Sequence, residues 1–274
     1  MESILKWAGG KRQLLSEIKK HINIEKMEGR TFYEPFVGGG ALFLDLELEN
    51  VVINDINSEL MNVYIQVKNN PKGLIKFLKK HKENHGREYY YKIRNIDRTK
   101  EINKLSAVEK AARTLYLNRV CYNGLYRVNS KGEFNVPLGK YVNPEIVFEE
   151  KIIQISEYLN TSYITMKNSD FQEALKDAKS GDVVYLDPPY DYEDGGFTSY
   201  TCDGFSKKDL RRLRVVCDEL INKGCLVIIS NNDTSYVNEL FSSSKYKIEH
   251  VQAKRMINCK GQKRNCVREV IIYG

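Results

Sequence analysis

The 274-residue chain predicts an α/β fold: an open, mostly parallel sheet interrupted by an inserted segment of helices and one β-hairpin. Three observations carry this. Val51-Val52-Ile53, Val183 to Leu186 and Leu226 to Ile229 are unbroken apolar runs, the pattern of strands buried on both faces. A short strand around Phe32 runs into Gly38-Gly39-Gly40 and then an apolar helix (Leu42, Phe43, Leu46), which brings backbone close to a ligand at a helix N-terminus. From Asn57 onward the alternation of strand and helix stops, and it resumes at Tyr163. The sheet domain is therefore expected over 1–56 and 161–274, with 57–160 as the insertion.

Taken in order, Lys6-Trp7-Ala8-Gly9-Gly10-Lys11 reads as a tight turn before an amphipathic helix begun by Leu14, Leu15 and Ile18. Trp7 fits either a ligand-facing turn or a core anchor. The Gly-Gly-Lys sequence lacks the spacing of a phosphate loop, which excludes nucleoside triphosphate binding of that kind. Asp55 lies at the tip of the second strand, a little under 20 residues past the glycines; an acid at about that distance accepts from ribose hydroxyls in nucleoside-binding folds. A loop and helix cap is the plainer reading of Asn54 to Ser58. Leu60, Val63, Tyr64 and Val67 share one helical face that stops before Pro71, and Leu74, Phe77 and Leu78 begin another. Ser106 to Glu109 is a capping box ahead of Ala112, Leu115 and Tyr116.

Tyr126-Arg127-Val128 and Glu133 to Val136 bracket Asn129-Ser130-Lys131-Gly132, a hairpin with Gly132 at positive φ. Arg and Asn on such a hairpin suit the major groove, where they can read guanine and adenine; an ordinary surface hairpin fits the pattern as well. After a helix through Ile152, Ile155 and Leu159, the sheet resumes at Tyr163 to Met166 and ends near Asp170-Phe171. Asp191 to Asp203 forms a loop with the makings of a lid. Ser206 and Asp209 cap the helix closed by Gly224, and an antiparallel pair, Tyr246–Val251 with Cys266–Tyr273, ends the chain.

Composition sets outer bounds. The net charge of +7 is compatible with nucleic acid without requiring it. Lys207, Lys208, Arg211, Arg212 and Arg214 form one basic cluster; Lys254, Arg255, Lys260, Lys263, Arg264 and Arg268 form another. Either also fits a solvated face. The six cysteines show no Cys-x-x-Cys spacing and read as reduced thiols of a cytoplasmic protein. The four histidines are not grouped for a metal, so none is expected. No secretory signal is read at Met1 to Lys11, and no stretch approaches the roughly 20 apolar residues of a membrane helix.

The chemistry concentrates at Asp187-Pro188-Pro189-Tyr190. Pro188 restricts Asp187 to an extended conformation, and neither proline donates a backbone hydrogen bond. The strand thus ends at a rigid corner with one carboxylate, proline-flanked carbonyls and an aromatic ring. An exocyclic aromatic amine is a poor nucleophile because its lone pair is spread into the ring. Acceptors on both its N–H bonds draw it toward a tetrahedral, reactive state. Asp187 and the Pro188 carbonyl are candidates for those acceptors, with Tyr190 stacking on the base. A Pro-Pro turn with a solvated cap is the plainer reading.

In this order, Lys6 to Lys11, Glu34 to Phe43, Asn54-Asp55, Asn118-Arg119, Asn123 to Arg127, Phe134 to Pro137, Asp187 to Tyr190, Phe197 to Tyr200 and Ile229 to Asn231 resemble the Dam-type DNA adenine-N6 methyltransferases, from about residue 4 to about 272. The resemblance implies a Rossmann-like S-adenosylmethionine-dependent methyltransferase sheet carrying a DNA-recognition subdomain. It implies S-adenosylmethionine as cofactor, S-adenosylhomocysteine as product, and adenine within GATC of double-stranded DNA as target. By position, Asp187, Pro188 and Tyr190 would be catalytic. Trp7, Lys11, Phe36, Gly38, Asp55, Asp170, Phe171 and Asp187 would hold the cofactor. Lys6, Asn123, Leu125, Arg127, Pro137 and Tyr141 would contact DNA. Lys140 stands where many members carry Arg. A monomer acting in the cytoplasm of a prokaryotic or phage-infected cell is expected. Another adenine site, an RNA substrate or a non-catalytic DNA-binding relative are the alternatives.

Overall fold

A computed structural model of the chain describes residues 1–7, 14–192, 204–253 and 267–274. Its centre is a seven-stranded sheet of β1 (Phe32–Glu34), β2 (Asn50–Asn54), β3 (Tyr163–Lys167), β4 (Val183–Leu186), β5 (Leu226–Asn232), β6 (Lys247–Ala253) and β7 (Val267–Tyr273), in the spatial order β3-β2-β1-β4-β5-β7-β6. The first five are parallel. β7 runs antiparallel between β5 and β6. The strand order reverses between β1 and β4, so the loops leaving their carboxyl ends part and open a crevice there. The apolar run of β4 is buried throughout, while Val52 of β2 and Leu226 of β5 are only half-buried.

The helices are α1 (Leu15–Lys19), α2 (Ala41–Leu46), α3 (Ser58–Asn69), α4 (Pro71–Glu83), α5 (Arg87–Asn95), α6 (Ala107–Val120), α7 (Glu149–Thr161), α8 (Phe171–Leu175), α9 (Lys207–Asn222) and α10 (Ser235–Leu240). Local chemistry sets their ends. Asn57 accepts from the Leu60 N–H to start α3. Asn70 caps α4, whose first residue is Pro71. Capping boxes at Ser106/Glu109 and Ser206/Asp209 start α6 and α9, as the sequence predicts. α1 spans only Leu15–Lys19.

Apolar side chains gather in three clusters. On one face of the sheet, Ile53, Tyr185 and Ile228 pack with Leu60, Leu74 and Ile155 of α3, α4 and α7. On the other, Val184, Leu186 and Ile229 pack with Leu213 and Leu220 of α9. Fully burying such a leucine is worth roughly 1.5–3 kcal/mol. The third cluster stands apart: Tyr90, Tyr116, Val120, Phe134, Val136 and Ile146. Residues 57–160 therefore feed two cores, one shared with the sheet and one of their own. No helix among the described residues is long and apolar enough to cross a membrane.

The hairpin expected around 129–132 is a loop closed at two points, Val128 with Phe134 and Cys121 with Leu138. Gly132 does take positive φ, at +77°. The arms stay short because Asn123 (φ +54°) and Gly124 (φ +63°) turn the incoming chain, while Pro137 offers no N–H for further pairing.

Candidate active site

The loops at the carboxyl end of the sheet converge on Asp187, Pro188 and Tyr190. The corner is held from the neighbouring strands. Ser230 of β5 donates its hydroxyl to Asp187 Oδ1 at 3.0 Å, and Ser230 Oγ lies 2.9 Å from the hydroxyl of buried Tyr185. Tyr190 donates to Glu269 of β7 at 2.9 Å. Asp191 is clamped next: its N–H donates to Asn231 Oδ1 (3.0 Å), its carbonyl accepts from Asn232 Nδ2 (2.5 Å), and its carboxylate accepts from Thr234 (2.8 Å). These partners come from β5, β7 and the turn after β5. Behind the corner, buried Glu34 accepts from the Phe43 N–H at 3.0 Å. Burial holds its carboxyl well above the ordinary carboxylate range, with Asp187 pushing the same way.

Beside the corner lies the glycine loop. Asp55 Oδ2 accepts from Gly38 N–H at 3.1 Å and Oδ1 from Asn57 N–H at 3.0 Å. Burial raises the Asp55 carboxyl to about 6, although these backbone donors pull it down. Trp7 lies against the loop so tightly that a Cβ on Gly38 would stand 2.8 Å from Trp7 Cδ1. The Tyr64 hydroxyl donates to the Gly38 carbonyl at 2.9 Å. Asn54 ties the loops after β1 and β3 together, donating to the carbonyls of Pro35 and Ser169. Phe36 packs on Phe171 with ring centroids 5.4 Å apart, and Phe205 closes edge-on at 5.8 Å from Phe36. Arg212 lies over Phe171 and binds Asp170 at 2.8 Å.

These residues suit a nucleoside cofactor. Each Asp55 oxygen keeps accepting capacity beyond its backbone donor, the phenylalanines make an aromatic wall, and the glycines leave backbone open where side chains would collide. Asn231 adds a buried amide donor, Nδ2, without a hydrogen-bond partner among the described residues. Of the sequence-predicted cofactor residues, Trp7, Phe36, Gly38, Asp55, Asp170, Phe171 and Asp187 lie on these converging loops, and Lys11 lies outside the described residues. So do the Phe197 to Tyr200 motif and the basic residues Lys254 to Arg264. No group of His, Cys, Asp or Glu able to hold a metal is present among the described residues. Cys121, Cys217 and Cys225 are free and buried.

A second face is built where the N-terminal segment meets α6 and the loop after it. Asn118, buried at the end of α6, accepts from Lys6 N–H at 2.8 Å and donates to the carbonyls of Lys6 (2.6 Å) and Gly124 (3.1 Å). Lys6 Nζ lies 4.0 Å above the Tyr141 ring. Burial lowers the Lys6 ammonium below its ordinary range, and Arg119 adds to this. The Pro137 carbonyl accepts from Tyr122 N–H at 2.8 Å, closing the loop on which Asn123 and Leu125 sit. Arg127 is exposed, with Nε 2.7 Å from Asn135 Oδ1. Asp97 fastens the far arm: its carboxylate accepts from Phe134 N–H (2.8 Å) and pairs with Arg113 and Arg98, each at 2.9 Å.

Sequence reasoning missed Ser230 as a partner of Asp187, Glu269, Phe205 and Asp97. It placed Arg212 and Arg214 in a basic cluster, but Arg212 is engaged by Asp170, and Arg214 pairs with Asp218 and lies 4.4 Å from the Tyr246 ring centroid.

Residues 7–257 match the family described as D12 class N6 adenine-specific DNA methyltransferase. The chain is 47% identical over 273 residues to the type II methyltransferase M1.LlaDCHI of Lactococcus lactis subsp. cremoris, covering 98% of this chain and 94% of the relative. It is 40% identical to the type II methyltransferase M.MjaIII of Methanocaldococcus jannaschii (96% and 95% covered). A DNA adenine methylase of Vibrio cholerae is 34% identical (98% and 94% covered).

Proposed function

The chain belongs to the D12 class N6 adenine-specific DNA methyltransferases, and on that premise we propose that it methylates adenine N6 in duplex DNA, within GATC, using S-adenosylmethionine. The observation that carries the reading is the Asp187 corner, fastened to β5 and β7 beside the Gly38–Asp55 loop. S-adenosylmethionine supplies an electrophilic sulfonium methyl when bound, and leaves as S-adenosylhomocysteine. Asp55 would accept from its ribose hydroxyls, Phe36, Asp170 and Phe171 would border its base, and Trp7 and Gly38 would complete the cradle; Lys11, outside the described residues, is assigned to it by the family resemblance alone.

The remaining work is done on the adenine. Flipping it from the stack costs a few kcal/mol. Tyr190, its hydroxyl tied to Glu269, offers a ring to stack on. Asp187 and the Pro188 carbonyl accept from the two N6–H bonds and concentrate the lone pair on nitrogen. Ser230 donates to Asp187 Oδ1, which orients the carboxylate. Residues 57–160 carry the recognition subdomain, and Lys6, Asn123, Leu125, Arg127, Pro137 and Tyr141 read or grip the duplex. Phosphate contacts make binding fall steeply with salt. The type II relatives favour a modification partner of a restriction enzyme, acting in the cytoplasm.

The test is to incubate the purified protein with S-adenosylmethionine and a duplex carrying one GATC, and to map N6-methyladenine base by base. Methyl at that adenine alone supports chemistry, donor and target together. Methyl at another adenine keeps the chemistry and discards GATC. Methyl on RNA and on no DNA overturns the reading.

A further inference from the structure

Tyr126 sits next to Arg127 but points away from it in what it touches. Its ring stacks on Trp7, with centroids 5.2 Å apart and planes 24° from parallel. Trp7 in turn presses on Gly38 and Gly39: a Cβ on Gly39 would lie 3.0 Å from Trp7 Cβ. One side chain thus reaches the glycine loop of the cofactor cradle through Trp7. On its other edge Tyr126 meets Phe134 of the opposite arm, at 5.7 Å and 65°. Behind it lies a cavity of about 220 Å³ lined by Tyr126, Phe134, Leu117 and Arg113 among others, so the hairpin is not packed solid there. Any shift of the hairpin carries the Tyr126 ring with it, and so the face on which Trp7 stacks.

We propose that Tyr126 is a positioning residue that couples sequence readout to cofactor retention: engagement of the target duplex by the hairpin tightens the cradle through the Tyr126–Trp7 stack. The inference rests on the methyltransferase reading above. Ordering of the hairpin on DNA is done in advance of cofactor binding, so the two ligands bind with positive cooperativity. By linkage, the cofactor tightens target DNA by the same factor.

Trp7 is the only tryptophan in the chain, so its emission reports on this contact directly. S-adenosylhomocysteine is titrated into the full-length protein alone, with a duplex carrying the mapped target, and with the same duplex altered at one base beside the adenine. Wild type, Tyr126→Phe and Tyr126→Leu are compared by Trp7 emission and by calorimetry. In wild type the target duplex lowers the Kd roughly fivefold or more, and the altered duplex does not. Tyr126→Phe, which keeps the stack, retains part of the effect. Tyr126→Leu shows one Kd under all three conditions. Equal tightening by both duplexes in wild type, or undiminished coupling in Tyr126→Leu, overturns the proposal. The wild-type comparison decides the matter even if Tyr126→Leu fails to fold. A wild-type protein that methylates the duplex without any tightening overturns this inference alone; one that neither binds the cofactor nor methylates overturns the methyltransferase reading with it.

Discussion

The Asp187 corner and the hairpin around Gly132 are held by different means. Asp187, Tyr190 and Asp191 are hydrogen-bonded to β5, β7 and the turn after β5, elements already locked by ladder pairing and by apolar side chains on both faces. The hairpin has two bridges, a charged cluster around Asp97 and a small core of its own. On the proposed reading, a corner that places a carboxylate against an amine benefits from rigidity, while a reader that conforms to DNA does not. The difference teaches that one chain can draw the fastenings of two regions from separate layers.

Substitutions sharpen the contrast. The largest effect is expected from Asp187→Ala: methyl transfer falls by roughly 10³-fold or more, while duplex binding measured by anisotropy stays within a few-fold. Turnover near wild type would remove Asp187 from the chemistry. Asp97→Ala comes next. It leaves the Arg113 charge, whose side chain is 6% exposed, without its carboxylate, at a cost of roughly 3 kcal/mol. Hydrogen exchange should show the Phe134 amide losing protection while β4 and β5 keep theirs; uniform loss over the sheet would show that the two regions are not separately fastened.

Arg127→Ala should relax base choice at one position by roughly 1–3 kcal/mol, read as kcat/KM across duplexes altered one base at a time. An unchanged preference at every base would take Arg127 out of the readout. The smallest effect is one of pH. Burial raises the Asp55 carboxyl to about 6, and ribose hydroxyls need the carboxylate form. Cofactor affinity should therefore be flat above pH 6 and fall by up to about tenfold per unit below it. The same shift acts the other way on the empty protein: a raised folded value means that this group adds stability as pH falls from about 6 toward the unfolded value. Affinity unchanged down to pH 5, or absent in wild type but present in Asp55→Asn, would dismiss this role.

Much of the sheet was legible because its signals are local. The apolar runs of β4 and β5 lie within a few consecutive residues, and a capping box needs only four, as at Ser206 to Asp209. The glycines and Asp55 were legible as types at a spacing, and the 3.1 Å contact between Gly38 and Asp55 joins them. What holds the corner was not. Ser230 lies 43 residues from Asp187 and Glu269 lies 79 from Tyr190, and no periodicity says which hydroxyl or carboxylate will fold onto which loop. The second core was equally hidden: Tyr90 and Tyr116 carry no mark distinguishing them from residues that pack on the sheet. The hairpin was legible in its turn, through Gly132, but the shortness of its arms depends on Asn123, a residue at positive φ that composition does not flag.

The separate small core has a hereditary consequence. Tyr90, Tyr116, Phe134 and Ile146 can drift together without touching Ile53, Val184 or Ile229. On the proposed reading, the reader can therefore change in small steps while the sheet core stays as it is. Among the residues that join the two regions are Asn118, which fastens Lys6 and Gly124 at once, and Tyr126, which stacks on Trp7. A segment grafted from a relative would transplant specificity most cleanly if it kept those two side chains and exchanged the exposed ones around Arg127.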